Sequence, residues 1–551
     1  MVLPNSSIIN KPAMTRGLLS LAIASSLLLV GCNDDDNDHY VSSPSVSAKF
    51  IKTFTANDIN SSFGLGSTAT PVAKCGVTIE KVSYDTKGAA DEDTNATAAL
   101  MLPTGDAAEC KGDRPVLLYA HGTTTDKGYD FAQVGNAKNP AVREANLIAA
   151  NFAAQGYIVV APNYAGYDES NLDYHPYLVA DQQATDMVDA LDSARSIIER
   201  KKRANDANYS KIDDSGKLFI AGYSQGGHVA MATARALQAK NEPVTAIAPS
   251  SGPYALAAFG DAIFTGNVNI GATRFAPLLA SGLQKKYPNI YNSPSEIFTP
   301  SYANTKLPST QTFEQLVDAD KLPENALFQS KPTNKPILDQ LPASKLPFAY
   351  LGFDDSKYLI RTDFRADYVE DALKNPDNLI AKTGLLPATN PQNSLRKALK
   401  DSDLRSYTPK MPTLLCGGHQ DPTVFYDINT GSMAAILKEA SLQDPAANLD
   451  VTILDVDVSN NKGIVTSTVK AMENPWMTTT IIDDIQTRFT GTLIAVQNKA
   501  IADAQAAGVT DPALLKQAAG TAVLSSYHGS LVSASCTQAT REFFEQNFNQ
   551  S

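Results

Sequence analysis

The sequence predicts an α/β fold: a mostly parallel sheet flanked by helices, with a large, mainly helical cap inserted. Three observations predict it. Short runs rich in Val, Ile and Leu recur along the chain, amphipathic helical patterns separate the early ones, and about 150 residues without that rhythm fall between two of the runs. The length of 551 residues exceeds one core of usual size. A composition of 43% hydrophobic and 19% charged residues excludes a wholly disordered chain.

Lys11 and Arg16 precede the apolar run "GLLSLAIASSLLLVG" (residues 17–31), which is short for a helix crossing a hydrocarbon core of roughly 30 Å. Positive, then apolar, then small is the order of a secretory signal, and Met14 makes a better start than Met1. "LVGC" resembles the lipobox of bacterial lipoproteins, which implies a signal peptide over 1–31 and a lipidated Cys32. The expectation is an exported bacterial protein held at a membrane by its lipid, in the periplasm or at the cell surface. Residues 1–31 carry two positive charges and no negative one, so their removal takes the formal charge from -12 to -14. A field of that sign opposes phosphate backbones, and nucleic acid is excluded as a partner.

Residues 32–74, acidic at first and then rich in Ser, Thr and Gly, read as a tether and lead-in. "VTIEKVSY" (77–84) and "TAALML" (97–102) read as a hairpin whose flanks bring Cys75 to Cys110. With Cys32 set aside, four cysteines remain in an exported chain, and the preferred pairing is Cys75–Cys110 with Cys416–Cys536. The buried-looking strands follow: "VLLYAHG" (116–122), "YIVVAP" (157–162), "LFIAGY" (218–223), "VTAIAPSSG" (244–252), "PTLLCGG" (412–418) and "LDVTILDV" (449–456). Helical patterns lie at 141–155, 176–202 and 225–240. The expected core thus spans 75–256 and 406–551, with a cap over 257–405, because so long a stretch is not a simple loop. A smaller insertion is expected at about 458–520, with a long helical pattern through 478–508.

The chemistry centres on Ser224 in "GYSQG" (222–226), where an apolar strand passes at once into a helix. A sharp turn there lifts the hydroxyl above the sheet, and flanking glycines remove the side chains that would clash. The helix starting at Gln225 points its first amides at the position where negative charge forms. A serine hydroxyl needs a base, and the base an orienting carboxylate. Six histidines are available: His39, His121, His175, His228, His419 and His528. Oxyanion donors are expected from the Gln225 amide and from Thr123 in the loop "HGTTT".

"AHGTTT" (120–125), "APNYAGY" (161–167), "GYSQGGH" (222–228), "GGHQDPTV" (417–424) and "YHG" (527–529) together resemble the α/β-hydrolase superfamily, and within it secretory lipases and esterases. In that superfamily the order is serine, acid, histidine, with the histidine after the last strand. The resemblance therefore implies His528 as base and Asp421 as acid, with Asp455 and Asp457 the alternatives for the acid. It also implies hydrolysis of carboxylic esters without metal or organic cofactor, and a cap over the acyl pocket. Consistently, the chain has no HExxH, no cysteine cluster at zinc spacing and no dinucleotide glycine fingerprint. Tyr164 and Tyr167 are candidates to line the substrate pocket, and the apolar cap suits an ester with a hydrophobic acyl group. Two other readings stay open: a tripeptidyl or prolyl-type serine peptidase on the same fold, and a surface lipoprotein that keeps the fold without catalysis.

Overall fold

A computed structural model describes residues 46–63, 70–380, 384–447, 449–459 and 479–549. The signal segment, Cys32, the acidic tether and residues 460–478 of the smaller insertion lie outside the described residues. The lead-in departs from expectation, since β1 (Ser47–Phe54) and α1 (Ala56–Ser62) fall within it. β1 mixes Ser47, Lys49, Lys52 and Thr53 with Ala48, Phe50, Ile51 and Phe54 because it pairs along one edge only, and its apolar residues keep no strict alternation. Thr55 and Asp58 close a capping box that starts α1.

β2 (Gly76–Lys87) and β3 (Asp93–Thr104) form the expected hairpin, longer than its apolar runs because polar residues also pair, out to Lys87 opposite Asp93. The strands that follow are apolar on both faces and must be covered on both sides. They are β4 (Gly112–Ala120), β5 (Ile158–Pro162), β6 (Ile212–Tyr223) and β7 (Ala246–Ser250). α2 (Val142–Asn151), α3 (Ala180–Arg203) and α4 (Gln225–Ala239) supply the connections. The cap comprises α5 (Leu256–Phe264), α6 (Ala272–Lys286), α7 (Phe313–Asp318), β8 (Phe328–Gln329), α8 (Pro336–Asp339), β9 (Phe353–Asp354), α9 (Thr362–Lys374), β10 (Asn378–Ile380), β11 (Gly384–Leu386) and α10 (Ser394–Asp401). Its centre is less helical than expected, since prolines between 288 and 347 leave only short pieces there.

The chain then returns through β12 (Thr413–Gly417), α11 (Ser432–Gln443) and β13 (Val451–Asp455). α12 (Thr479–Ala506) and α13 (Pro512–Ser526) pack on each other, and α14 (Ser533–Asn549) ends the described chain. The nine-stranded sheet has the order β1-β2-β3-β5-β4-β6-β7-β12-β13, parallel from β5 to β13. Its register sets Leu117 opposite both Val159 and Phe219 in one core layer. A second apolar cluster lies in the cap and includes Tyr174, Tyr177 and Leu178 from the segment after β5. Cys75 bonds Cys110 below the hairpin, and Cys416 bonds Cys536, joining β12 to α14.

Candidate active site

β6 delivers Ser224 at its end, and α4 begins at the next residue. Ser224 has φ 60° and ψ −123°, a strained backbone that non-glycine residues rarely adopt. Its amide donates to Ser250 O at 3.0 Å, which ties the turn to β7. A Cβ on Gly222 would strike Gly226 O, and one on Gly226 would strike Ala120 O, so the sharp turn requires both glycines.

The histidine arrives from far along the chain. α13 passes into a π-helical turn, Tyr527–Val532, that carries His528 back over the sheet. His528 Nε2 lies 2.8 Å from Ser224 Oγ, and Nδ1 lies 2.6 Å from Asp421 Oδ2. The carboxylate accepts from Nδ1, which leaves Nε2 free to accept from the serine hydroxyl. Asp421 sits in the loop after β12, and its other oxygen accepts from the amides of Thr423 (2.9 Å) and Val424 (3.0 Å). The acid is thus held independently of its histidine. Tyr223 OH donates to the His528 carbonyl at 2.6 Å, anchoring the turn from the strand side.

Asp455 and Asp457, the alternative acids, face elsewhere. Asp455 accepts from His419 Nδ1 at 2.8 Å and from the His419 amide at 3.2 Å. Asp457 accepts from Tyr527 OH at 2.5 Å, and the same hydroxyl accepts from the Gln420 amide at 3.2 Å. Both carboxylates brace the loop that carries Asp421. Of the other described histidines, His121 is stacked on Tyr164 with ring centroids 4.1 Å apart. His228 contacts the Ser402 carbonyl, and burial pushes its pKa down to about 4.

On the oxyanion side, Gln225 heads α4, where the first amides have no acceptor within the helix. In the loop after β4 the Gly122 amide already donates to Glu144 Oε1 at 3.0 Å. The next residue, Thr123, borders the same cleft as Ser224 and His528. Glu144 also accepts from Tyr119 OH at 2.8 Å and Tyr129 OH at 2.9 Å, so one carboxylate fixes the loop's entry. Nothing local in the sequence marked Glu144, which lies in the first turn of α2 and acts only through tertiary contacts.

Tyr164 and Tyr167 do not line the pocket. Both are fully buried behind the loop, where Tyr164 OH donates to His121 O at 3.0 Å and Tyr167 OH to Thr124 O at 2.7 Å. Their hydroxyls satisfy carbonyls of the "HGTTT" loop, a packing task that leaves no surface for substrate.

Two cavities meet at Ser224. One runs into the cap and is bounded by Ser224 and Gln225, by Leu256, Phe259 and Ile263 of α5, by Phe275 and Leu279 of α6, and by Leu399 of α10. Its volume is about 100 Å³, so it is narrow as well as apolar. The other is a wider cleft of about 910 Å³. Thr123, Arg143, Glu144, Arg274, Ser526 and His528 are among the residues that border it.

Sheet order, turn geometry and the serine–histidine–aspartate array give this molecule the layout of an α/β hydrolase. A sequence profile of the Alpha/beta hydrolase family matches residues 117–426, more than half of the chain, and the chain belongs to that family. Among solved structures it is similar to the rice cell wall degrading esterase LipA from Xanthomonas oryzae, with 27% identity and a TM-score of 0.56. That match covers 76% of this chain and 92% of LipA. A structure from Legionella pneumophila described as that of a hydrolase matches with 20% identity and a TM-score of 0.52, covering 75% of this chain and 91% of its own, and shares the fold. No curated protein sequence matches the chain.

Proposed function

We propose that the protein is a serine esterase that cleaves carboxylic esters with hydrophobic acyl groups through an acyl-enzyme. The observation that carries this reading is the unbroken relay from Asp421 through His528 to Ser224, at 2.6 and 2.8 Å, with the serine at the junction of a narrow apolar cavity and a wider cleft of mixed polar and apolar lining. In the first half-reaction Ser224 Oγ attacks the ester carbonyl while His528 Nε2 takes its proton. The oxygen that gains charge is met by the amides of Gln225 and Thr123, each worth about 3 kcal/mol by mutational precedent. His528 then returns the proton to the departing alcohol, which leaves through the wider cleft. Water enters by that route and is activated by the same imidazole, and the acid product is released from the acyl-enzyme.

The acyl chain belongs in the apolar cavity, where removing it from water is favourable at roughly 25 cal/mol per Å². That LipA is described as an esterase supports the bond type; the plant wall is said of that protein alone. Export and lipid attachment at Cys32 belong to the same proposal and rest on the N-terminal sequence. Radiolabelled palmitate should enter the wild type and not a Cys32→Ser variant.

A panel of p-nitrophenyl esters of increasing chain length, run beside peptide p-nitroanilides on protein lacking residues 1–32, tests the reaction. Ester hydrolysis abolished by Ser224→Ala is the expected result. Turnover of the anilides alone would replace the esterase with a peptidase.

A further inference from the structure

The segment between β5 and α3 contains four aromatic or imidazole side chains aimed at one target. Tyr164 and Tyr167 hold carbonyls of the "HGTTT" loop, as described. Farther along, Tyr177 OH and Thr123 Oγ1 hydrogen-bond at 2.9 Å, and His175 Nε2 lies 2.7 Å from Gln225 Nε2. Thr123 and Gln225 come from different ends of the site, one after β4 and one at the head of α4, yet a stretch of three residues grips both.

The protonation of His175 follows from its neighbours. Its Nδ1 faces the Ala165 carbonyl at 2.9 Å and must donate, so Nε2 carries a lone pair and accepts from the side-chain Nε2 of Gln225. His175 is fully buried, and burial pushes its pKa down to about 3, so this arrangement persists across the neutral range. Gln225 Oε1 is buried without a hydrogen-bond partner among the described residues, so the bond to His175 is what orients that side chain.

We propose that His175 and Tyr177 are positioning residues that set the two amides of the oxyanion hole, and that the cap is registered to the hole through the same stretch. The second part rests on Gly282 of α6, where a Cβ would lie 2.8 Å from Tyr177 N and 2.9 Å from His175 O. Helix and segment touch backbone to backbone at that point. α6 also lines the apolar cavity, as do Tyr177 and Leu178, so acyl cavity and oxyanion hole share one wall. A donor displaced by a few tenths of an ångström loses part of its contribution only in the transition state, which leaves ground-state binding unchanged.

The proposal rests on Ser224 acting as nucleophile, and its test does not require that esters be the substrate. The probe is a fluorophosphonate, whose P=O group occupies an oxyanion hole while it phosphonylates an active serine. His175→Ala and Tyr177→Phe should each slow phosphonylation of Ser224 and lower ester kcat by about tenfold, below the 10²- to 10³-fold expected for deleting a donor. KM should stay within about twofold, and the pH midpoint of kcat should not move, because His528 and Asp421 are untouched. Gln225→Leu combined with His175→Ala should cost no more than either alone. Gly282→Ala should reproduce the loss from the cap side. Should His175→Ala fail to fold, Gln225→Leu reads the same contact and Tyr177→Phe removes a single oxygen. Folded variants with a lowered Tm but wild-type phosphonylation and kcat would reduce both residues to packing and overturn the proposal. A wild type that is phosphonylated at Ser224 yet hydrolyses no ester would sink the esterase reading alone, and the labelling rates would still decide this one.

Discussion

At the scale of single residues, the relay separates into parts that substitution can address one at a time. Asp421 is 4% exposed and gives one oxygen to His528 and the other to two backbone amides. Asparagine there keeps the shape and loses the preference for an Nδ1 proton, so Asp421→Asn should lower kcat by about 10⁴-fold with Tm nearly unchanged. Asp455→Asn leaves the relay itself intact and should cost far less, and a stopped-substrate assay of both variants with thermal melts separates the two. Near-normal turnover in Asp421→Asn would move the acid to Asp455 or Asp457. Ser224 was legible from its glycine-fenced turn between strand and helix, and Asp421 and His528 from the serine, acid, histidine order that the family resemblance implies. Glu144 and His175 were not, since no motif order assigns them a role and each acts only through tertiary contacts.

Between elements, acid and base are carried by neighbours that the chain separates by over a hundred residues. Cys416–Cys536 crosses that gap, closing a loop of 120 residues and tying β12, which leads to Asp421, to α14, which follows His528. Cys75–Cys110 closes 35 residues under the hairpin, remote from the relay. In the chain-entropy account the two stabilise by about 5 and 4 kcal/mol. Replacing either pair by alanines should therefore lower the urea midpoint similarly. Only the Cys416/Cys536 variant should also lose kcat, and equal kcat in the two would remove the disulfide from the relay's support.

The same junction contains a titrating pair. The hydrogen bond to Asp455 raises the His419 pKa above its usual value near 6.5, with Asp457 adding to the effect. A raised folded-state value means that the stability this group contributes is complete below pH 6.5 and is lost as pH rises through the higher value. Burial pushes the Asp455 carboxyl up as well, with the same sign but in a window that opens near 3.8. Urea midpoints at pH 6.0 and 8.5 isolate the histidine: the wild type should lose more stability between them than His419→Gln, and equal losses would exclude the pair as the source.

For the whole molecule, the parallel half of the sheet was readable because strands buried on both faces leave unbroken aliphatic runs, whereas the edge strand β1 interrupts Ala48, Phe50 and Ile51 with Lys49 and Lys52 and leaves none. The cap was readable only as an interruption. Its apolar cavity is assembled from α5, α6 and α10, whose side chains become neighbours only after the chain has folded back over the sheet. That assembly makes acyl length a property of the cap, independent of the relay. Ala276, on α6, lines the cavity, and a larger side chain there occupies space the acyl chain would use without touching Ser224, Asp421 or His528. Ala276→Phe should leave kcat/KM for an acetate ester within about threefold while lowering that for an octanoate ester at least tenfold, since each methylene kept out of the cavity forgoes about 0.8 kcal/mol. A uniform loss at both lengths would mean that the acyl chain lies in the wider cleft instead, and the assignment of the two cavities to acid and alcohol would have to be exchanged.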